Sequence, residues 1–254
     1  MSDERAVLAR ELEYHEKLYA DFAPAHFAKP AVKALREHMV SRMFRLGIEK
    51  GSRVLSLGCG IGDTEIVLAR RGVEVTGLDL SPTAIRQARA AAGKQGVKGI
   101  RFVEATIDDA ALDAHSFDAV IAVFFLHHLS DAALAAVPRQ VTRLLRPGGI
   151  FYALDPSRYR LSGAVGQLLF PKLMESYQSP DERQLSPRDT AGLFAQSGLA
   201  TEYGYYDFVS SPLAGLFPSW RGGYRAARLL DEALVRTPLL RRLGSNFEII
   251  ARVH

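Results

Sequence analysis

Hydrophobic and polar positions change period repeatedly along this chain of 254 residues. Between residues 53 and 154, short apolar runs alternate with stretches of helical spacing. Strands are predicted at 53–57, 74–78, 100–104, 117–124 and 150–154. The fourth is almost continuously apolar, as expected of a strand covered on both faces. A helix is predicted at 63–71 and stopped by Gly72. Another opens at Ser81-Pro82, with Ser81 as N-cap and Pro82 in the first turn. A third ends at Leu145, before Arg146-Pro147-Gly148-Gly149, and its start is placed at Pro138, because proline suits a first turn and not an interior. Strands alternating with helices predict an α/β fold built on a right-handed, doubly wound parallel sheet.

Outside that region the pattern differs. The first 46 residues read as two helices with a break at 24–30. Beyond Asp155 an apolar helix is predicted around 161–174, and Ser186-Pro187 caps a helix running to Ser197. An aromatic-rich strand is predicted at 199–209 and a last strand at 247–253, with an amphipathic helix near 224–235 inserted between them. The organisation expected is one domain overall. It comprises an N-terminal helical cover (1–46), a binding core (47–155), a lid with helices (156–198), and C-terminal strands of the same sheet with a cap helix (199–254).

The chemistry concentrates where the first strand runs into Gly58-Cys59-Gly60-Ile61-Gly62. Glycine lets a backbone approach a ligand where a Cβ would clash. The helix behind it presents unpaired N–H groups. Asp79 ends the second strand, and a carboxylate there suits a ribose diol. The spacing is G-x-G-x-G rather than the dinucleotide G-x-G-x-x-G. Position 63 is Asp, which repels a pyrophosphate but tolerates a less negative ligand such as the amino acid end of S-adenosylmethionine.

Composition narrows the field. A single cysteine, Cys59, excludes an internal disulfide framework and a cysteine-based zinc site. The charged stretch 1–17 lacks a signal core, and the longest apolar run, 119–126, is too short to span a bilayer. A cytoplasmic protein is expected. The net charge is +4 but the basic residues are dispersed, and no nucleic-acid partner is expected. From Arg221 onward seven arginines face three carboxylates. This tail and residues 213–224 leave a peripheral membrane contact open.

Six segments in order resemble the class I S-adenosylmethionine-dependent methyltransferases of small-molecule type. They are residues 54–62 (VLSLGCGIG), 77–81 (GLDLS), 102–104 (FVE), 116–120 (SFDAV), 126–129 (LHHL) and 145–149 (LRPGG). The resemblance implies a Rossmann-like sheet of seven strands, the last antiparallel, and S-adenosyl-L-methionine as cofactor. It places Gly58, Gly60 and Gly62, with Cys59 between them, against the methionine portion and ribose. It further places Asp79 on the ribose hydroxyls, Leu80 beside the adenine, Thr106 and Ile107 at the adenine edge, and Val123 and Phe124 under the sulfonium. Two positions depart from the family pattern, which usually carries acidic residues where this chain has Ser56 and Thr106.

Methyl transfer from a sulfonium relies on alignment and exclusion of water. A base is needed mainly for a hydroxyl or carbon acid. Candidates are His127 and His128 after the fourth strand, and Tyr14 and His15 on the N-terminal helix. No metal site is expected, because adjacent histidines lack helical ligand spacing. Asp155 ends the fifth strand and could orient an acceptor or cap a helix. The aromatic set Tyr203, Tyr205, Phe208, Phe217, Trp220 and Tyr224 is a candidate lining for an apolar acceptor pocket. The reading is methyl transfer to a small hydrophobic or aromatic acceptor. The alternatives are a non-catalytic S-adenosylmethionine-binding regulatory or partner protein, and a methyltransferase acting on a lipid or prenylated acceptor at a membrane surface.

Overall fold

A computed structural model describes residues 2–169, 179 and 181–254. The predicted alternation is present. The core runs β1 (Arg53–Leu57), α4 (Asp63–Arg70), β2 (Glu74–Asp79), α5 (Pro82–Lys94), β3 (Ile100–Glu104), β4 (Phe117–Val123), α6 (Asp131–Leu144) and β5 (Leu145–Pro156). Helices α1 (Ser2–Lys17), α2 (Ala23–Phe27) and α3 (Pro30–Arg45) precede it. Following it are α7 (Leu161–Leu169), α8 (Pro187–Gln196), β6 (Ala200–Asp207), α9 (Ser210–Leu216), α10 (Arg221–Leu234) and β7 (Asn246–Arg252). All seven strands join one sheet in the order β3-β2-β1-β4-β5-β7-β6. Only β7 runs against its neighbours, pairing antiparallel with both β5 and β6.

Period-two alternation sends successive strand residues to opposite faces. Leu55, Val120, Phe151 and Ile249 pack on one face with Val137 and Val141 of α6 and Phe194 of α8. Val54, Ile121, Tyr152 and Ile250 pack on the other with Leu35 and Met39 of α3, Leu68 of α4 and Tyr224 of α10. Both faces are therefore covered, and the carboxyl ends of β1, β4 and β5 are left as the place for a ligand.

Three local expectations are corrected. Pro138 lies inside α6, not at its start. Ser130 accepts a hydrogen bond from the Ala133 N–H at 3.2 Å and caps the helix eight residues earlier than Pro138. That cap, with burial of Leu134, Val137, Val141 and Leu144, outweighs the roughly 3 kcal/mol penalty of an interior proline. Strand β5 begins at Leu145, so Arg146-Pro147-Gly148-Gly149 forms an irregularity within the strand rather than a turn before it, and the register against β4 shifts there. The N-terminal break is narrow. A π-helical turn, Leu18–Phe22, links α1 to α2, and Pro24 is tolerated in the first turn of α2. Of the apolar helix predicted at 161–174, residues 170–174 lie outside the described residues.

Candidate functional site

The loop between β1 and α4 passes through Gly58, Gly60 and Gly62, all with positive φ, a region that disfavours any Cβ. At Gly62 a Cβ would also lie 2.5 Å from the Phe102 ring, so that glycine is a packing requirement. Gly60 is different, because its missing Cβ would point at the Tyr19 hydroxyl, 3.0 Å away across the mouth of a cavity. The Gly60 N–H donates to Asp79 Oδ2 at 2.8 Å, and the Ser81 N–H donates to Asp79 Oδ1 at 2.9 Å. Asp79 thus ties the loop to the start of α5. Each of its oxygens keeps a lone pair for a diol. Burial pushes the Asp79 carboxyl up, against the pull of these two N–H donors.

Two carboxylates flank the same loop. Asp63 opens α4 and pairs with Arg36 Nη2 of α3 at 3.0 Å. Glu65, in the first turn of α4, is 3% exposed and accepts from Ser56 Oγ at 2.6 Å. Burial raises the Glu65 carboxyl from 4.5 to about 7. A carboxyl thus stands beside Ser56, brought there by the helix rather than by the strand. Sequence reading missed Glu65; the available signal was its place three residues beyond Gly62, on the first turn facing β1.

A cavity of about 740 Å³ opens beside this loop. Ser56, Gly58, Cys59 and Gly60 form one wall, Val123, Phe124, His127 and His128 a second, and His15 and Tyr19 the cover. Phe124 adopts φ +53, outside the region usual for aromatic residues, at the point where β4 leaves the sheet. His127 is buried, and its Nδ1 lies 2.7 Å from Asp155 Oδ1, which also accepts from the His127 N–H at 3.2 Å. Burial pushes the imidazole down to about 4 and the carboxyl up to about 8. When Asp155 is ionised the neutral ring donates Nδ1–H to Oδ1 and Nε2 is its acceptor. When Asp155 is protonated its O–H donates to Nδ1 and Nε2 carries the ring proton, so a basic Nε2 requires the ionised carboxylate. Asp155 thus orients a histidine rather than capping a helix.

His128 stands next to it, with ring centroids 3.9 Å apart, and its Nδ1 lies 3.0 Å from Glu11 Oε2. His15 packs edge-on against His128 at 4.6 Å. Burial is the main cause of the lowered His15 pKa. Tyr14 contacts the His15 ring edge but does not line the cavity. Gly62, Asp79, Leu80, Thr106 and Ile107 also lie outside its lining, Asp79 reaching the loop through its hydrogen bond from the Gly60 N–H. Thr106 Oγ1 caps its own turn by accepting from the Asp109 N–H at 3.0 Å. The Ala105 N–H donates to the Asp79 carbonyl at 3.1 Å, which holds the β3 loop beside the Asp79 end of the site. None of the six aromatic residues considered for an acceptor pocket lines this cavity. Its apolar walls come from Leu18, Phe27, Leu35, Met39, Val165 and Leu216. Tyr203 and Tyr205 share one face of an edge strand, and Phe217 and Trp220 are 58% and 59% exposed.

The fit to S-adenosylmethionine rests on Gly60 on the cavity wall, the Asp79 carboxylate that ties this loop to α5, and the Glu65 carboxyl on the same wall. Gly58, like Gly62, is required by packing, a Cβ there lying 2.3 Å from the Phe125 ring. Comparison with known proteins agrees. The family model for a methyltransferase domain matches residues 54–149. An uncharacterized methyltransferase of Synechocystis is 33% identical over 156 residues, covering 60% of this chain and 69% of that protein. A ubiquinone biosynthesis O-methyltransferase of Methylocella silvestris is 32% identical over 216 residues, covering 78% of this chain and 80% of that protein. Among solved structures, a chain from a complex of the Haloferax volcanii Trm112 methyltransferase activator with a methyltransferase shares the fold, with TM-score 0.64 and 23% identity over 94% of this chain and 98% of that chain.

Proposed function

Because the chain belongs to the class I S-adenosylmethionine-dependent methyltransferases, we propose that it methylates a hydroxyl of a small apolar acceptor, with His127 as the base. The observation that carries this reading is the His127–Asp155 pair, held at 2.7 Å on the wall of a cavity whose other walls are largely apolar. S-adenosylmethionine supplies a methyl group on a cationic sulfur, already a good leaving group. The chain's own contribution is alignment, exclusion of water and removal of the hydroxyl proton. Gly60 and Asp79 would hold the ribose end, and Glu65 the amino acid end through its carboxylate. With Asp155 ionised, His127 Nε2 would take the acceptor proton and the carboxylate would stabilise the imidazolium formed, so activity through this pair should rise as pH passes through the raised Asp155 value. The similarity to a ubiquinone biosynthesis O-methyltransferase supports oxygen as the atom methylated.

The test is transfer of labelled methyl to a panel of apolar phenols. His127→Ala should lower kcat by roughly 10²-fold or more with a small change in KM. Unchanged kcat in a variant that still binds S-adenosylhomocysteine would remove His127 from the mechanism.

A second reading concerns where the acceptor comes from. Leu216, on the cavity wall, is 50% exposed and is followed by exposed Phe217 and Trp220, with Arg221 and Arg225 one turn on. An aromatic and cationic rim of this kind suits delivery of a lipid or prenylated acceptor from an anionic bilayer. Among the described residues no helix is long and apolar enough to cross a membrane, so such contact would be peripheral.

A further inference from the structure

Glu11, His15 and His128 are brought together from two distant parts of the chain, α1 being held over the cavity by the Arg10–Asp181 ion pair and by Glu16 on Ser81 and Thr83. Glu11 and His15 are four residues apart on α1 and so share one helix face. The 3-10 turn after β4 delivers His128 from 117 residues beyond Glu11. One potential ligand atom from each side chain lies within 4.8 Å of those from the other two. Their side chains are 6%, 18% and 20% exposed, so the cluster is largely out of water. We propose that these three residues form a divalent transition-metal site, with Zn2+ as the representative ion, on the cover of the cavity.

Several features fit. Two imidazoles and one carboxylate are the donor set of an open catalytic zinc site, which keeps a position for an exogenous oxygen. His15 Nδ1 lies 2.8 Å from the Glu11 carbonyl oxygen. A carbonyl can only accept, so Nδ1 carries the proton and neutral His15 presents Nε2 as a lone pair. An imidazole anchored to a carbonyl through Nδ1–H is the usual support for a metal-binding histidine. Glu11 is itself oriented by the Asp181 N–H, 3.2 Å from Oε1. Glu11 Oε2 and His128 Nδ1 are already 3.0 Å apart and the His15 ring stands edge-on to His128, so an ion at roughly 2.0–2.2 Å from each donor requires side-chain rotation rather than a refolding. His15 and His128 line the cavity, which leaves the open position toward the acceptor. An ion there would lower the pKa of an acceptor hydroxyl. That consequence rests on the methyltransferase reading above, whereas the site itself rests only on the geometry of the three residues.

The experiment uses the full chain, stripped with chelator, in two parallel calorimetric titrations, one with Zn2+ and one with S-adenosylhomocysteine. The proposal predicts one Zn2+ per chain in the wild type, weakened by at least about tenfold in Glu11→Gln, in His15→Ala and in His128→Ala. Far-UV circular dichroism and cooperative thermal unfolding like those of the wild type show that all three variants fold. Absorption of the Co2+ form, with tetrahedral bands that are lost in the variants, gives a second readout independent of turnover. No Zn2+ binding by the wild type, or equal binding by wild type and variants, overturns the proposal and makes the cluster a purely hydrogen-bonded one. Loss of S-adenosylhomocysteine binding by the wild type would instead count against the cofactor site and leave the Zn2+ result standing.

Discussion

Glu65 carries a buried carboxyl whose hydrogen-bonding partner, Ser56, cannot neutralise it. Its folded pKa is about 7, against 4.5 ordinarily. A carboxyl raised in the folded state stabilises the fold below the unfolded pKa and loses that contribution as pH rises through the folded value. Between about pH 4.5 and 7 the unfolded chain is ionised at this position while the folded chain is still protonated. Stability of the ligand-free protein should therefore fall across that window, by on the order of 3 kcal/mol from this group. Glu65→Gln keeps a hydrogen bond to Ser56 and removes the ionisation. Urea unfolding at pH 5 and pH 7.5 should show a smaller drop in the variant than in the wild type. Equal slopes would mean that Glu65 is ionised throughout. At this scale the sequence was only partly legible. The glycines, Asp79 and the two histidines stand in recognisable strings. The partners Glu65 and Glu11 reach the site from helices, where only side-chain length and helix phase decide what they touch. The i, i+4 spacing of Glu11 and His15 was the readable signal that these two side chains share a helix face, which the expectation of no metal site, drawn from the adjacent histidines alone, did not use.

Element placement depends on a small number of polar anchors. Asp231 of α10 is buried and accepts from the N–H groups of Phe208, Val209 and Ser210 at 3.0, 2.9 and 3.0 Å. It thereby holds the chain where β6 leaves the sheet and enters α9, the helix that carries Leu216 to the cavity wall. Asp231→Ala strands three backbone donors at once, and each buried unsatisfied donor costs roughly 1–3 kcal/mol. The variant is expected to lose about 3 kcal/mol in urea unfolding, with water entering to satisfy part of the loss. A change below about 0.5 kcal/mol would show that solvent already serves these groups. The elements themselves were largely readable. Every core strand appears within a few residues of its predicted place, because the strand period and the glycine and proline punctuation agree. Pro138 misled because a serine cap and a four-residue apolar stripe, both local, outweighed the proline. Arg146-Pro147-Gly148-Gly149 misled because a turn-like string can be absorbed as an irregularity when the flanking residues pair.

For the whole molecule, the alternation of strand and helix carried the topology, including the antiparallel β7 that the resemblance implied. The composition of the cavity was not readable, since it is lined by seven or more separate segments whose approach is set by tertiary packing. Of the aromatic residues that looked like a pocket, Tyr203 and Tyr205 lie on an edge strand, Phe217 and Trp220 on an exposed rim, and Tyr224 in the core under the sheet. That rim has its own consequence. If Phe217, Trp220 and the nearby arginines meet a bilayer, the protein should co-sediment with anionic vesicles, less so at high salt and less so after Trp220→Ala with Phe217→Ala. No sedimentation at low salt would confine the acceptor to solution. Binding of S-adenosylmethionine is expected to depend on the glycine loop and Asp79. Its most direct test is calorimetric titration of the purified protein with S-adenosylhomocysteine beside Asp79→Ala. The account predicts binding of one ligand per chain in the wild type and at least about tenfold weaker binding in the variant. Absence of binding in the wild type, or equal affinity in both, would contradict it.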